Sequence, residues 1–208
     1  MFKFSYYTEE DNEKVIAFIK ENSFAIITGT GNNYPVATQI PLDIIEINGK
    51  MLLKGHIMRN TDHHKAFLKN ENVLVIFNGP NCYVSASWYT NPHSGSTWNY
   101  MTVQAKGKIK FGDESDTRLA VESITNKYEK PDSVAAFNKL SEEYIGKMVK
   151  AISAFTIEVE TLEHVFKLSQ TNDKETRENI IIELRKQGSA NSKAIAEEMA
   201  KRIDVPKK

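Results

Sequence analysis

Between residues 24 and 57, three apolar and β-branched runs, 24–28, 36–47 and 51–57, are separated only by the turn sequences around Gly29-Thr-Gly-Asn-Asn33 and at Asn48-Gly49. Neither gap can hold the long crossover that parallel strands need, so these runs must meet as antiparallel hairpins. Asn48-Gly49 is the stronger turn. Both residues tolerate the positive φ angles of a two-residue loop, and alternating residues flank them.

The same pattern continues along the chain. Residues 73–77, 82–89 and 98–111 read as further strands, with Gly79-Pro80-Asn81 separating the first two, and 154–160 and 164–168 follow late. In the 98–111 run, Met101, Val103 and Ala105 alternate with Tyr100, Thr102 and Gln104, as in a sheet with one buried face. Helical spacing marks 8–22, capped by Thr8, a short helix at about 62–69, and then 113–128, 131–140 and 141–150. Residues 172–203 form a helical hairpin turning at 187–191. About eight short strands with helices between and after them define an α+β chain whose core is a small closed or half-closed barrel. No repeat or Pro-rich boundary divides it. The expected organisation is a barrel domain over 1–171, with 172–208 a C-terminal helical extension packed on it.

Composition sets limits on partners. A 208-residue chain with 40% apolar and 10% aromatic residues can bury a self-sufficient core. Its 27 basic and 27 acidic residues cancel, which removes bulk attraction to nucleic acid or anionic lipid and leaves only local patches. The single cysteine, Cys82, has no disulfide partner and reads as a small buried side chain. The first residues hold no apolar signal core, and no run is long enough to cross a bilayer, so a soluble cytoplasmic protein without membrane contact is expected.

Three clusters carry possible chemistry. In Gly55-His-Ile-Met-Arg-Asn-Thr-Asp-His-His-Lys65 a strand passes into a helix, where free backbone N–H groups, Arg59, Thr61 and Lys65 suit an anion; the plainer reading is a helix cap with solvated charges. His56, His63 and His64 lack metal-ligand spacing, since neighbours on a helix point about 100° apart. The second cluster, Tyr83-Val-Ser-Ala-Ser-Trp-Tyr89 with Ser96-Thr-Trp-Asn-Tyr100, holds both tryptophans beside hydroxyl and amide groups. It suits a flat heteroaromatic ligand, or equally a core or subunit-interface anchor. The third, Phe166-Lys-Leu-Ser-Gln170, offers donors on alternating faces. Nucleophile elbow, P-loop, dinucleotide fingerprint and close acidic pair are all missing, which removes support for hydrolytic, phosphoryl-transfer and Rossmann-type readings.

Together with Asn22-Ser-Phe24, Pro35-Val-Ala-Thr-Gln-Ile-Pro-Leu42 and Phe77-Asn-Gly-Pro80, these stretches in this order resemble the PaiB family of FMN-binding regulators, over nearly the whole chain. That family belongs to the split β-barrel flavin proteins related to pyridoxamine-phosphate oxidases. The resemblance implies a homodimer with FMN at the subunit interface. Arg59 and Lys65 would neutralise the phosphate and Thr61 would donate to it, with His56 in the same motif. Thr38, Gln39, Ile40 and Pro41 would present backbone groups along the flavin edge. Ser87, Trp88, Trp98 and Asn99 would line the ring or the dimer seam, and Lys167, Ser169 and Gln170 would close the pocket. Two departures stand out: Asp62 replaces the family's usual Pro close to the phosphate, and Ala86 replaces another.

The resemblance leaves several functions to separate. One is a PaiB-type transcriptional regulator acting through a DNA or regulatory protein partner; residues 173–208 carry nine basic and seven acidic residues in a helix–turn–helix-like arrangement. Another is an FMN-dependent oxidoreductase of the flavin-reductase or pyridoxamine-phosphate-oxidase kind, using NAD(P)H or a small molecule, because the flavin performs that chemistry largely by itself. A third is a barrel that has lost its flavin, with His56 available to haem.

Overall fold

The computed structural model describes residues 4–204. In chain order these form α1 (Asn12–Glu21), β1 (Phe24–Gly29), β2 (Val36–Pro41), β3 (Asp43–Ile47), β4 (Lys50–Met58), α2 (Asp62–Lys69), β5 (Asn72–Val84), β6 (Thr97–Phe111), α3 (Glu114–Tyr128), α4 (Glu142–Ala151), β7 (Ile152–Lys167), α5 (Lys174–Gln187) and α6 (Ala190–Ala200). The chain divides into two compact units. One comprises 23–76 and 104–162; the other comprises the residues up to 22, 77–103 and those from 163 onward.

In the first unit the strands follow the order β2-β1-β5-β6-β7-β4-β3. Phe24 stands opposite Pro41 and Gly29 opposite Val36 in the β1–β2 hairpin. Ile47 stands opposite Lys50 across the β3–β4 turn, where Asn48 and Gly49 adopt φ of 52° and 75°. This is the two-residue turn that the sequence demands. β4 then pairs with β7, from Leu52 opposite Glu158 to Met58 opposite Ile152.

The sheet curls on itself. β2 and β4 are far apart in strand order, yet a Cβ on Gly55 would lie 3.3 Å from Ile40 Cδ1, 3.0 Å from Leu42 Cδ2 and 2.9 Å from Phe155 Cζ. A side chain at 55 would push on its neighbours across the closely packed barrel interior, which Ile27, Leu53, Val75 and Ile157 fill. The fold is α+β, a split β-barrel. Outside the barrel, Val121, Phe137, Ile145, Val149 and Ile152 form a satellite core joining α3, α4 and the start of β7.

The second unit holds α1, α5 and α6 with the adjoining ends of β5, β6 and β7. Phe18 packs on Phe166 with ring centroids 5.1 Å apart. Ile180, Leu184, Ile195 and Met199 are buried along the α5–α6 hairpin, which turns at Gly188 with φ of 75°. The Arg177 guanidinium donates to the carbonyls of Arg202 (3.3 Å) and Ile203 (2.9 Å), closing the end of α6. Arg202 in turn meets Glu9 at 3.0 Å. Residues 205–208 of the expected C-terminal extension, and the first three of the chain, lie outside the described residues. Among the described residues no helix is long and apolar enough to cross a membrane.

Several expected boundaries are corrected. The 36–47 run is two strands, broken at Leu42, whose N–H bonds Ser23 O at 2.9 Å while its side chain is buried. Gly79-Pro80-Asn81 does not turn: residues 72–84 are one strand, and Gly79 is needed because a Cβ would sit 2.4 Å from the Phe18 ring. The strand ends at Val84, and Ala86–Trp88 form a one-turn 3-10 helix. The two late strands are one of 16 residues, so the sheet has seven strands and not eight. Of the expected 131–140 helix only a 3-10 turn at Phe137–Lys139 exists, and α1 is capped by Asp11, not Thr8.

Candidate functional site

The turn from β4 into α2 is held by its own backbone. Arg59 N–H donates to Ala151 O (2.9 Å) and its Nε to Ile152 O (2.7 Å), which fixes the guanidinium while its terminal amines keep no partner among the described residues. Asn60 takes a φ of 65°. Thr61 caps α2: its Oγ1 accepts from His64 N–H (3.2 Å) and donates to Met58 O (3.1 Å), so the hydroxyl is already engaged. Lys65 is exposed, and no carboxylate lies within ion-pair distance of it among the described residues.

Asp62, the departure closest to the expected phosphate site, projects into solvent. Its side chain is 80% exposed and accepts from His63 N–H (2.8 Å); that hydrogen bond is the main cause holding its pKa below the usual carboxylate range. His64 is buried edge-on against Phe111, centroids 4.9 Å apart, and its Nδ1 accepts from Asn60 N–H at 3.3 Å. Burial first, then the charges of Arg59, His63 and Lys65, lower its pKa. Arg59 and Lys65 thus flank the open end of α2, where an anion is welcome. Two free cationic groups and a helix start fit a phosphate monoester.

β2 terminates the sheet order, so one of its edges faces no strand among the described residues. Thr38, Gln39, Ile40 and Pro41 pair on the other edge with Ile27, Ile26, Ala25 and Phe24. Ile40 points into the barrel core. His56 stands on the outer face of β4 opposite Ala154, and burial holds its imidazole pKa down. It forms part of a cleft of about 520 Å³ beneath α3, to which Pro41 also contributes. This cleft escaped the sequence reading, although the alternation of Leu53 and Ile57 inward with Lys54 and His56 outward was visible there.

The remaining expected residues lie in the second unit. Asn99 is fully buried: its Nδ2 donates to Ser169 Oγ (3.0 Å), and Ser169 Oγ donates back to Asn99 Oδ1 (3.1 Å). Ser169 itself takes a φ of 60°. Gln170 Oε1 accepts from Leu168 N–H (2.7 Å) while its Nε2 donates to Phe166 O. Lys167 Nζ donates to Thr97 Oγ1 and lies 5.9 Å from the Tyr7 ring centroid. These groups brace the chain around the end of β7. Ser87 is exposed beside Ser85 Oγ (2.8 Å), and Trp88 is half-buried. Trp98 is 55% exposed and edge-on to Tyr83 at 6.1 Å, so it is no core anchor.

The structure thus brings Arg59, Thr61 and Lys65 together, sets Pro41 and His56 in one cleft, and joins Asn99 to Ser169. Cys82 is buried and its thiol is pushed up to about 11, which disqualifies it as a nucleophile. Among the described residues no three His, Cys, Asp or Glu side chains gather as metal ligands.

Known proteins resemble this chain along most of its length. The family described as "Putative FMN-binding domain" matches residues 1–161. The Bacillus subtilis (strain 168) protein named Protease synthase and sporulation protein PAI 2 is 31% identical over 199 residues, 95% of this chain and 96% of the relative. An uncharacterized protein of Aspergillus fumigatus is 28% identical over 243 residues, 92% and 93% of the two chains. Among solved structures, the FAD and heme binding protein from Mycobacterium smegmatis is 13% identical, with a TM-score of 0.57 over 76% of this chain and 72% of that one. The flavocytochrome Anf3 from Azotobacter vinelandii is 12% identical, with a TM-score of 0.54 over 80% and 72%. At such identities these two structures speak for the fold alone.

Proposed function

The chain belongs to the PaiB-type family of FMN-binding proteins, and on that premise we propose that the turn from Arg59 to Lys65 holds the FMN phosphate. The observation that carries this is the pair of unpartnered cations beside the start of α2, one of them aimed by the Nε hydrogen bond to Ile152 O. Arg59 and Lys65 supply charge, and the outward turn of Asp62 removes the repulsion its presence in the motif would bring. Thr61 orients the helix start more than it binds, since its hydroxyl is committed at both ends. The free edge of β2 at Thr38–Pro41 is assigned to the flavin edge, with His56 beside it. Exposed Ser87 and Trp98, with Trp88, are assigned to the seam of a homodimer, and Lys167, Ser169, Gln170 and Asn99 to the support behind it.

FMN, when bound, supplies hydride or electron transfer. The regulatory role is proposed to run through a partner protein or a ligand response. Among the described residues of the α5–α6 hairpin, Lys174, Arg185, Lys186 and Lys201 each lie within 3.0 Å of a carboxylate, which leaves less free basic charge than DNA phosphates call for. An FMN-dependent oxidoreductase is the second reading, favoured by the open cleft beside His56. NADH or NADPH oxidation by the FMN-loaded protein with an electron acceptor tests it.

The test of the main reading is an FMN titration followed by flavin absorbance and fluorescence. Arg59→Ala with Lys65→Ala is expected to weaken FMN by at least about tenfold while leaving riboflavin little changed. Equal losses for the two ligands would remove the phosphate role, and a Soret band in the purified protein would replace flavin by haem.

A further inference from the structure

We propose that the cleft beneath α3 is a second binding site, adjoining the flavin's, for a small apolar monocarboxylate, whose carboxylate is received by Lys54 and Lys110 on either side of Thr156. The register places these three residues in one row. Lys54 is the direct partner of Thr156 in the β4–β7 ladder. Gly112 N–H donates to Ala154 O at 2.9 Å, so two residues back along β6 Lys110 stands beside Thr156 on its other side. Adjacent strands are about 5 Å apart, which puts the two lysine Cα atoms roughly 10 Å apart with a hydroxyl between them. All three side chains lie on the outer face, because Leu53, Ile109 and Ile157 face the core.

The charges in the cleft are unequal in availability. Neither Lys54 nor Lys110 has a carboxylate within ion-pair distance among the described residues, whereas both lining acids are engaged. Asp43 is bound by Lys127 at 2.6 Å and Ser123 at 3.5 Å, and Asp116 accepts from Asp113 N–H at 3.1 Å in the capping box of α3. Lys110 also feels Glu71 and Glu158, but these are bridged to Lys108 and Lys50. The free charge facing the cleft is positive. Beyond it, Phe111, Leu119 and Ile124 provide apolar surface, and His56 offers a ring nitrogen on the same face of β4.

A cleft of about 520 Å³ is of the size that small ligands occupy. A phosphate monoester is disfavoured here. At the start of α3 Asp113 and Asp116 take each other's N–H groups in a capping box, and their carboxylates would repel a dianion. A single carboxylate meets two ammonium groups and a hydroxyl, and its apolar body covers Leu119 and Ile124. The site shares Pro41 and His56 with the residues assigned to FMN but none of Arg59, Thr61 or Lys65, and it rests on that reading in taking the flavin phosphate to be held at the β4–α2 turn.

The probes are 2-naphthoate and its uncharged analogue 2-naphthamide, titrated by fluorescence into the full-length protein with and without FMN. Naphthoate is expected to bind about tenfold more tightly than the amide, and Lys54→Gln with Lys110→Gln to abolish that preference while FMN affinity stays unchanged. Leu119→Asp, at an exposed position, should weaken naphthoate and naphthamide alike. No preference for the carboxylate in the unaltered protein would overturn the proposal. So would displacement of naphthoate by FMN together with loss of FMN in the lysine variants, since the cleft would then be the flavin's own. If instead Arg59→Ala and Lys65→Ala spare FMN, the phosphate assignment fails while the naphthoate comparison still reports on the lysine row.

Discussion

At the scale of single residues, His64 ties charge to stability. Its Nδ1 can accept from Asn60 N–H only when unprotonated, and its pKa lies below the usual 6.5 because burial and the nearby cations disfavour the charged ring. The unfolded chain therefore binds the proton more readily. The stabilisation is complete above about pH 6.5 and is lost as pH falls toward the folded value. Urea unfolding at pH 7.5 and 5.5 should show a falling midpoint for the unaltered protein and a flatter dependence for His64→Gln; a dependence unchanged by the substitution would contradict this. The cationic pair at 59 and 65 was legible in the sequence because residue type and a strand-to-helix junction suffice to suggest it. Asn99, Ser169 and Gln170 were legible only as polar groups. That they brace one another, or the backbone beside them, depends on burial created by distant segments, which spacing does not encode.

At the scale of elements, glycine positions separate packing from propensity. A Cβ on Gly107 would lie 2.2 Å from Glu158 O, a backbone atom that cannot step aside, so Gly107→Ala should cost at least about 1–3 kcal/mol. A Cβ on Gly146, within α4, would meet no other part of the described residues within 4 Å, and Gly146→Ala should stabilise by about 0.5–1 kcal/mol. Chemical denaturation of the two variants reads both signs. Removing the cap of α2 with Thr61→Ala should cost about 1 kcal/mol and expose the His64 N–H it satisfies. The Asn48-Gly49 hairpin was legible because the turn residues impose the geometry locally. The joining of 73–77 to 82–89 was not, because Gly79 and Pro80 are turn formers in isolation. Here the Phe18 ring, more than fifty residues away in sequence, fixes the need for glycine in an extended strand.

At the scale of the whole molecule, the α+β barrel was legible from hairpin-linked strands with helices after them, while the lengths of β5 and β7 were set by partners far along the chain. Binding linkage makes the cofactor measurable here: FMN at a hundred times its Kd should add about 2.7 kcal/mol of stability, raising Tm by roughly 5–10 °C, and the Arg59→Ala, Lys65→Ala variant should lose most of that rise. Differential scanning calorimetry with FMN and riboflavin gives the comparison. The β4–β7 ladder carries one more consequence, for the ribosome. Leu52 is read roughly a hundred residues before Glu158, its partner. At synthesis rates of about 5–20 residues per second the β3–β4 hairpin waits on the order of 5–20 s with an open strand edge, a template for pairing with another nascent chain. The outward lysines 50 and 54 sit on that waiting strand as charged gatekeepers, guarding the chain during its manufacture as well as serving it once made.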